Sequence, residues 1–495
     1  MSAFSPAFLK AEPAALRFLD DGFRHPSRRV EFVRQARARG VKAEVVAALR
    51  AQAARRPMTS ARAQSLDSLA SGAPVAVTGQ QVGLFLGPLY SLYKAATAVV
   101  TARALEGVPV FWLQSEDHDF DEVAHTVVHG KEGALTTISL ASPHVERASM
   151  SSVRLGTGVD EALATLRGAL DGWPQADEVS ALFSRHYRPE ATWVNAFAGV
   201  MSELFPSLII LDPRDEALAK VARPVHERAL AECDVITRVL QQRSDELEAA
   251  GFDVQVRVRD AALTFVHPDG RDGPRFRVEA KARLPEDPLC VSSSALLRPI
   301  IQDTLLPTAA IVGGPGELNY FAQLAPLYSH FGLPMPMVMP RARFRVVEAR
   351  PKALLEKLGL APEAVEVSRE ALLGRLSQGG AAEDVEKELL AAIEPVLSRV
   401  RGVDDAVERT RKTIARAANR LGARLQRERL TRDDVLASRV DRLQRALFPN
   451  GQPQERVLGA AGFFASFGIE AFMKRIESSV VPFGHDIVTL TPEFA

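Results

Sequence analysis

Between residues 115 and 122 the chain reads SEDHDFDE, which crowds Glu116, Asp117, Asp119, Asp121 and Glu122 around His118. Neighbouring carboxyls raise one another's pKa, and an imidazole among them is held charged or oriented. Such a group binds an amine or takes a proton from an amine nucleophile. The plainer alternative is a solvated acidic turn that caps a helix. Against it stands the apolar run PVFWL at 109–113, directly before the cluster, because a surface turn rarely needs a Trp-bearing strand behind it. On a helix, His118, Glu122, His125 and His129 would share one face at a spacing zinc can use. VAHTVVHG alternates as a strand does, which splits that set, so no metal site is expected.

A second polar loop follows the run PVAV at 74–77. It reads TGQQVGLFLGPLYSLYKAATAV from Thr78, with Gly79, Gly83 and Gly87 ahead of Pro88. Pro suits a first helical turn because its φ is preset and its missing N–H needs no partner. Exposed amides at such a helix start, with glycines allowing close approach, suit a phosphate or carboxylate. Tyr90 and Lys94 lie four apart, so they share a helical face and can both reach a ligand. Neither GxxxxGK[ST] nor GxGxxG is present. The alternative is glycines serving tight strand-to-helix packing, with Gln80 and Gln81 capping.

A third loop, VGGPGELNY at 312–320, repeats the strand-then-glycine pattern and offers Gly313, Gly314, Gly316, Glu317, Asn319 and Tyr320. Arg298 and Arg341 flank it and could grip a carboxylate or phosphate with both guanidinium nitrogens. Taken singly, each arginine is more often a surface ion pair.

The elements that must carry these loops are short β-branched runs bounded by Gly and Pro: PVAV, PVFWL, SLIILDP at 207–213, TAAIVGGPGEL at 308–318 and PMVMPR at 336–341. Helical patterns separate them, so the series predicts a parallel, doubly wound α/β sheet with ligands past the strands' carboxyl ends. Residues 1–70 read as amphipathic helices broken at Gly22, Pro26, Gly40 and Pro57, packing on a core that spans 71–345. The intervals at about 125–205 and 225–300 exceed one crossover and predict inserted subdomains. VQVRVRDAALTFVHPDG at 254–270 reads as a hairpin within the second.

From 346 to 447 the pattern becomes helical. Leu389, Ile393, Val396, Val400, Val403, Val407, Thr410, Ile414, Ala417 and Leu421 form a heptad seam, interrupted by Pro395 and Gly402. A helix over 396–426 would run roughly 46 Å. After a polar break at 427–434, Leu436, Val440, Leu443 and Leu447 resume. An antiparallel coiled coil pairing with a second subunit is expected, the alternative being a helical subdomain packed on its own core. The apolar segment from 448 to 495 is expected to return to the core.

Composition narrows the function classes. Acids and bases balance at 61 each, so no global field favours nucleic acid or an anionic membrane surface. Only Cys233 and Cys290 occur, which excludes a disulfide framework and fits a reducing compartment. No apolar run approaches a membrane span and the first residues do not read as a secretory signal, so a cytoplasmic location is expected.

Five blocks carry a resemblance: TGQQxGxFxGPLYxxYKA at 78–95, PVFWLxxEDHDFxE at 109–122, LLRPIxQDxLLPTxAxVGGPGExxY at 296–320, PxVxPR ending at 341, and LFPNGxxQER at 447–456. In this order they resemble the bacillithiol biosynthesis cysteine-adding enzymes, over almost the whole chain. The resemblance implies a Rossmann-like core with inserted connecting segments, a coiled coil forming a homodimer, and the joining of cysteine to glucosaminyl-malate through an amide in the last step of bacillithiol synthesis. Amide formation from a carboxylate is uphill in water, so activation by ATP, with Mg, is expected, although the HIGH and KMSKS signatures of adenylate-forming synthetases with this core are absent. On this reading Asp117, His118, Asp119 and Lys94 are catalytic. Thr78, Gly79, Gln80, Gln81, Gly83, Gly87, Tyr90, Glu116, Gly313, Gly314, Gly316, Glu317, Asn319, Tyr320, Arg298 and Arg341 bind substrate. Two alternatives stay open: another ATP-dependent ligase or nucleotidyltransferase on this core, and a non-catalytic coiled-coil dimer whose sheet binds a ligand.

Overall fold

Five of the short apolar runs form one parallel sheet. In the computed structural model, which describes residues 3–258, 263–279, 282–376, 381–400, 404–432 and 434–491, they are β1 (Val75–Gln80), β2 (Val108–Leu113), β3 (Ile209–Leu211), β4 (Thr308–Gly313) and β5 (Met337–Pro340). Nearly every residue of these strands is buried, as expected where helices cover both faces and no solvent side demands alternation. The order is β5-β4-β1-β2-β3, with every neighbour parallel. This is the Rossmann-like order. From β1 the chain winds outward to β2 and β3, then returns to β1's other side for β4. The direction of winding reverses between β1 and β4, and a crevice opens there past their carboxyl ends.

Two contacts fix the geometry at that crevice. The hydroxyl of Thr78 donates to the Val312 carbonyl at 2.9 Å, tying β1 to β4. A Cβ on Gly79 would stand 2.8 Å from the Trp112 carbonyl oxygen, so only glycine fits beside β2. The helix Tyr90–Ala104 connects β1 to β2 and buries every residue from Ser91 to Ala102.

The N-terminal helices end where the sequence breaks predicted: Pro26–Arg39 stops at Gly40, and Ser60–Ala70 is capped by the Thr59 hydroxyl. The first insertion holds a hairpin, His125–His129 with Leu135–Ser139, then helices Gly158–Ala169, Ala176–His186 and Trp193–Leu204. The second holds helices Glu216–Ala231 and Cys233–Ala249 and a small antiparallel sheet in which Thr264–Val266 lies between Phe276–Arg277 and Val291–Ser293. The hairpin expected at 254–270 is therefore corrected. Residues 254–258 are not a strand, 259–262 lie outside the described residues, and Thr264–Val266 takes its partners from further along the chain.

The chain divides into two compact units. One takes in Met1–Phe344 and Leu458–Val488, and the other Arg345–Val457 with residues 489–491. In the second, Val347, Leu355, Val365, Leu372, Leu373, Val440, Leu443 and Leu447 form a small core. The helix expected over 396–426 is Asp404–Arg432, starting after the interruption at Pro395, and it folds back against Ala381–Leu397 with Arg411 paired to Glu394 at 2.7 Å. Pro395 lies in the last turn of the first, so the seam doubles back within one chain. Val403 lies outside the described residues. The expected break at 427–434 also shifts, because the second helix runs on to Arg432.

Candidate active site

The three polar loops gather at the carboxyl edge of the sheet in the first unit. Their charges sort into two poles.

The cationic pole sits at the crevice between β1 and β4. Lys94 is buried, and its Nζ donates to the Gly79 carbonyl at 2.9 Å and the Gln80 Oε1 at 2.8 Å while pairing with the Glu317 carboxylate. Glu317 also accepts the Gly314 amide at 2.8 Å, and a Cβ on Gly313 would press on its Cβ at 3.0 Å. The glycines after β4 thus let the carboxylate fold back onto the helix start. Burial depresses the Lys94 pKa; Glu317 opposes this, and Arg341 and Arg298 depress it further. Lys94, Arg298 and Arg341 thus gather around the Glu317 carboxylate. Arg298 spreads its fork over the Gln302 Oε1 at 2.9 Å and the Tyr320 hydroxyl at 2.8 Å, and burial raises the Tyr320 pKa to about 12. Arg341 is buried with its guanidinium 5.7 Å from the centre of the Tyr90 ring. The Tyr90 hydroxyl accepts from Gln80 Nε2 at 3.3 Å, so Tyr90 and Lys94 meet the same amide.

The acidic pole follows β2. Asp117 Oδ1 accepts the His118 amide at 2.7 Å, and its Oδ2 accepts Gln81 Nε2 at 2.8 Å. Gln81 Nε2 also donates to Glu122 at 2.6 Å, and Gln80 Nε2 reaches Gln81 Oε1 at 3.2 Å. The two glutamines therefore link Lys94 at one pole to Asp117 at the other. Burial pushes the Asp117 carboxyl up, but hydrogen bonds from His118 and Gln81 and the charge of Arg275 outweigh it and hold the pKa at about 2. A carboxylate that weakly basic holds charge and geometry well and accepts protons poorly at neutral pH. Because its folded value lies below the unfolded one, it stabilises the protein above about pH 4, and that stability is lost as pH falls toward 2. Asp117→Asn should remove about 2 kcal/mol at pH 7 and little at pH 2, measured by urea unfolding.

Several candidates are engaged within the fold itself. The Asp119 carboxylate accepts the Glu122 amide at 3.2 Å and caps the short helix Phe120–Val123, the plain role for an acidic turn. Glu116 turns to the Ser293 hydroxyl at 2.7 Å. Asn319 faces the N-terminal helix, its Oδ1 accepting the Ser5 amide at 2.8 Å and its Nδ2 donating to Gln255. Gly316 lies in the helix Pro315–Phe321 with open space beside it.

The glycine turn departs furthest from expectation. Gly83 and Gly87 press together, a Cβ on Gly83 falling 2.9 Å from the Gly87 Cα, and Phe85 and Leu86 between them are buried with φ of 47° and 76°. The amides of Gly83, Gly87 and Leu89 donate to Gln81, Leu84 and Leu458 carbonyls, and the helix begins at Tyr90 rather than Pro88. Tyr187, from the first insertion, fills the turn: its hydroxyl donates to the Gly83 carbonyl at 3.4 Å and faces the amides of Leu86 and Phe85. The amides of Gly83, Gly87 and Leu89, read as an anion cradle, are thus taken by carbonyls, and those of Phe85 and Leu86 between the glycines face a phenol oxygen. Tyr187→Phe keeps the ring and strands those groups, so it should cost about 1–3 kcal/mol, seen as a lower melting temperature.

The histidines are also split. His125 and His129 lie on a strand, with His129 packed on Phe463, and His118 is beside Asp117. Among the described residues no group of three metal-binding side chains forms.

Sequence reasoning missed Arg275. It comes from the second insertion, and its Nη1 donates to the Glu116 carbonyl at 2.8 Å while Nη2 lies 3.0 Å from His118 Nδ1. Nothing in GPRFR marks it; only the tertiary fold brings it 157 residues back along the chain.

Residues 2–342 match the model for the bacillithiol biosynthesis BshC N-terminal Rossmann-like domain, and residues 344–490 match the BshC C-terminal coiled-coil domain. The chain belongs to the BshC family. Relatives in that family include the "Putative cysteine ligase BshC" of Koribacter versatilis, 33% identical with 82% of each chain covered. The protein of the same name from Solibacter usitatus is 30% identical, covering 92% of this chain and 94% of its own. The Rossmann-like match covers the parallel sheet, and the coiled-coil match covers the helical unit and runs on through Leu458–Val488 of the first. Among the described residues, no helix is long and apolar enough to cross a membrane.

Proposed function

We propose that this chain is a cysteine ligase that joins L-cysteine to glucosaminyl-malate through an amide bond, driven by ATP with Mg, in the last step of bacillithiol synthesis. The observation that carries the reading is the pairing of opposite poles on one sheet edge, linked by Gln80 and Gln81. Amide synthesis needs a carboxylate held and activated next to an amine that loses a proton. Lys94, Arg298 and Arg341 suit the carboxylate or a phosphoryl group attached to it, and Lys94 is placed to offset charge that develops on oxygen. The acidic pole suits the amine. Asp117 holds the ammonium group by charge, and His118, 37% exposed, is the group suited to move the proton. The packed glycine turn is left out of ligand contact.

ATP would supply the free energy by converting the carboxylate to a mixed anhydride, an acyl phosphate with release of ADP or an acyl adenylate with release of pyrophosphate. The cations at the crevice fit a polyphosphate; the amides of the glycine turn, held by Tyr187, do not. A homodimer through the helical hairpin is supported by apolar side chains on its outside: Val396 is 63% exposed, and Val400 and Leu421 are each 45% exposed. Light scattering that returned a monomer at micromolar concentration would reject the dimer.

The test is to incubate the protein with cysteine, glucosaminyl-malate and MgATP and to follow the thiol product by mass spectrometry. Product only with ATP, with stoichiometric ADP or AMP, supports the reading. Equal product without nucleotide removes ATP from it. Nucleotide turnover without the amide, in the presence of both substrates, favours another ligase or nucleotidyltransferase reaction on the same core.

A further inference from the structure

His118 Nδ1 has two neighbours that demand opposite protonation. Arg275 Nη2 lies 3.0 Å away, and a guanidinium only donates, so Nδ1 must offer its lone pair to it. Asp117 Oδ1 lies 3.4 Å away, and an ionised carboxylate only accepts, so Nδ1 must carry a proton to bond to it. A neutral imidazole has one N–H, and Nδ1 cannot satisfy both neighbours at once.

The packing decides between them. Asp117 keeps the His118 amide at 2.7 Å, Gln81 at 2.8 Å and, more loosely, the Asp119 amide at 3.4 Å when the imidazole turns its bond away, although the ring contact at 3.4 Å is part of what holds its pKa low. Arg275 is buried, anchored by Nη1 on the Glu116 carbonyl at 2.8 Å and by its guanidinium 4.6 Å from the centre of the Phe265 ring. Its Nη2 reaches Asp117 Oδ1 only at 3.8 Å, so Nδ1 is its nearer partner.

We propose that Arg275 is a positioning residue that sets the tautomer of His118, keeping Nδ1 unprotonated and the proton on Nε2 in the substrate-free protein. The exposed imidazole then rests as a proton donor. It becomes a base at Nε2 only when Nη2 leaves Nδ1, for Asp117 Oδ1 or for an anionic group of the substrate, and the proton relocates to Nδ1, where Asp117 accepts the hydrogen bond. Taking the amine proton is thereby coupled to arrival of the anion. Among the described residues the charged groups near the ring include Asp117 on its own loop, Arg275 from the second insertion and Glu122 through Gln81, and Arg275 in turn feels Glu116, Arg147 and Arg214. The coupling to substrate rests on the ligase reading; the resting tautomer does not.

The test is a long-range ¹H–¹⁵N correlation spectrum of the full-length protein labelled at histidine nitrogens, with His118→Gln identifying the His118 signals. At neutral pH the wild-type spectrum should show Nδ1 as the unprotonated, downfield nitrogen and Nε2 as the N–H nitrogen. Arg275→Leu should exchange the two, and Arg275→Lys, which keeps a donor, should retain the wild-type pattern. A wild-type spectrum with the proton on Nδ1 overturns the proposal, as does an unchanged tautomer in folded Arg275→Leu. If Arg275→Leu fails to fold, the wild-type and Arg275→Lys spectra still decide. These readings need no turnover, so failure to form an amide rejects the ligase reading without touching the tautomer.

Discussion

Lys94→Met should abolish detectable ligation and cost about 3–5 kcal/mol of stability, because it leaves the Glu317 carboxylate without its partner in a buried site. It also frees the Gln80 amide and the Gly79 carbonyl that hold the β1 end in place. The double change Lys94→Met with Glu317→Leu separates the two effects. Replacing a buried ion pair by apolar groups is often nearly neutral for stability. The double variant should therefore recover most of the loss in urea unfolding while ligation stays absent. Recovery of activity together with stability would reduce Lys94 to a structural residue.

The second large effect is expected from His118→Gln. The side chain is more than a third exposed, so folding stability should change by no more than about 0.5 kcal/mol. Loss of a positioned proton-transfer group should lower kcat by about 10²–10⁴-fold, with KM for either substrate little changed. Asp117→Asn differs in kind: Asp117 serves by charge, so its removal should raise KM for the amine substrate as well as lower kcat. Steady-state kinetics on the two variants side by side would distinguish them. A His118→Gln enzyme with normal kcat would remove the imidazole from the chemistry.

Local patterns carried much of this arrangement. PVAV, PVFWL, SLIILDP, TAAIVG and PMVMP are short, β-branched and bounded by breakers, and each is a strand of the parallel sheet. The loops after three of these strands held Gln81, Asp117, His118 and Glu317, because a parallel sheet places all its carboxyl ends on one edge, while Lys94 and Arg298 come from helices and Arg341 follows β5. What stayed hidden depends on contacts distant in sequence. Nothing near Gly83 signals that Tyr187 will occupy the turn, and nothing near His118 signals Arg275. The spacing from Leu389 to Leu421 is the same whether a seam runs straight or folds back on itself. Only the reversal after Leu397 distinguishes the two, and Pro395 marked it more faithfully than the heptads did, Gly402 lying outside the described residues. Asn319 stood two residues from Glu317, yet a helix turns such neighbours about 200° apart, so one faces the site and the other its support.

That support has a practical side. Ser5 hangs by its backbone on Asn319, and Asn319 rides on the same seven-residue helix as Glu317. Trimming or tagging the start of the chain is thus an intervention two residues from the carboxylate that neutralises Lys94. An expression strategy that modifies that end would show up in the kinetics before it showed up in the yield.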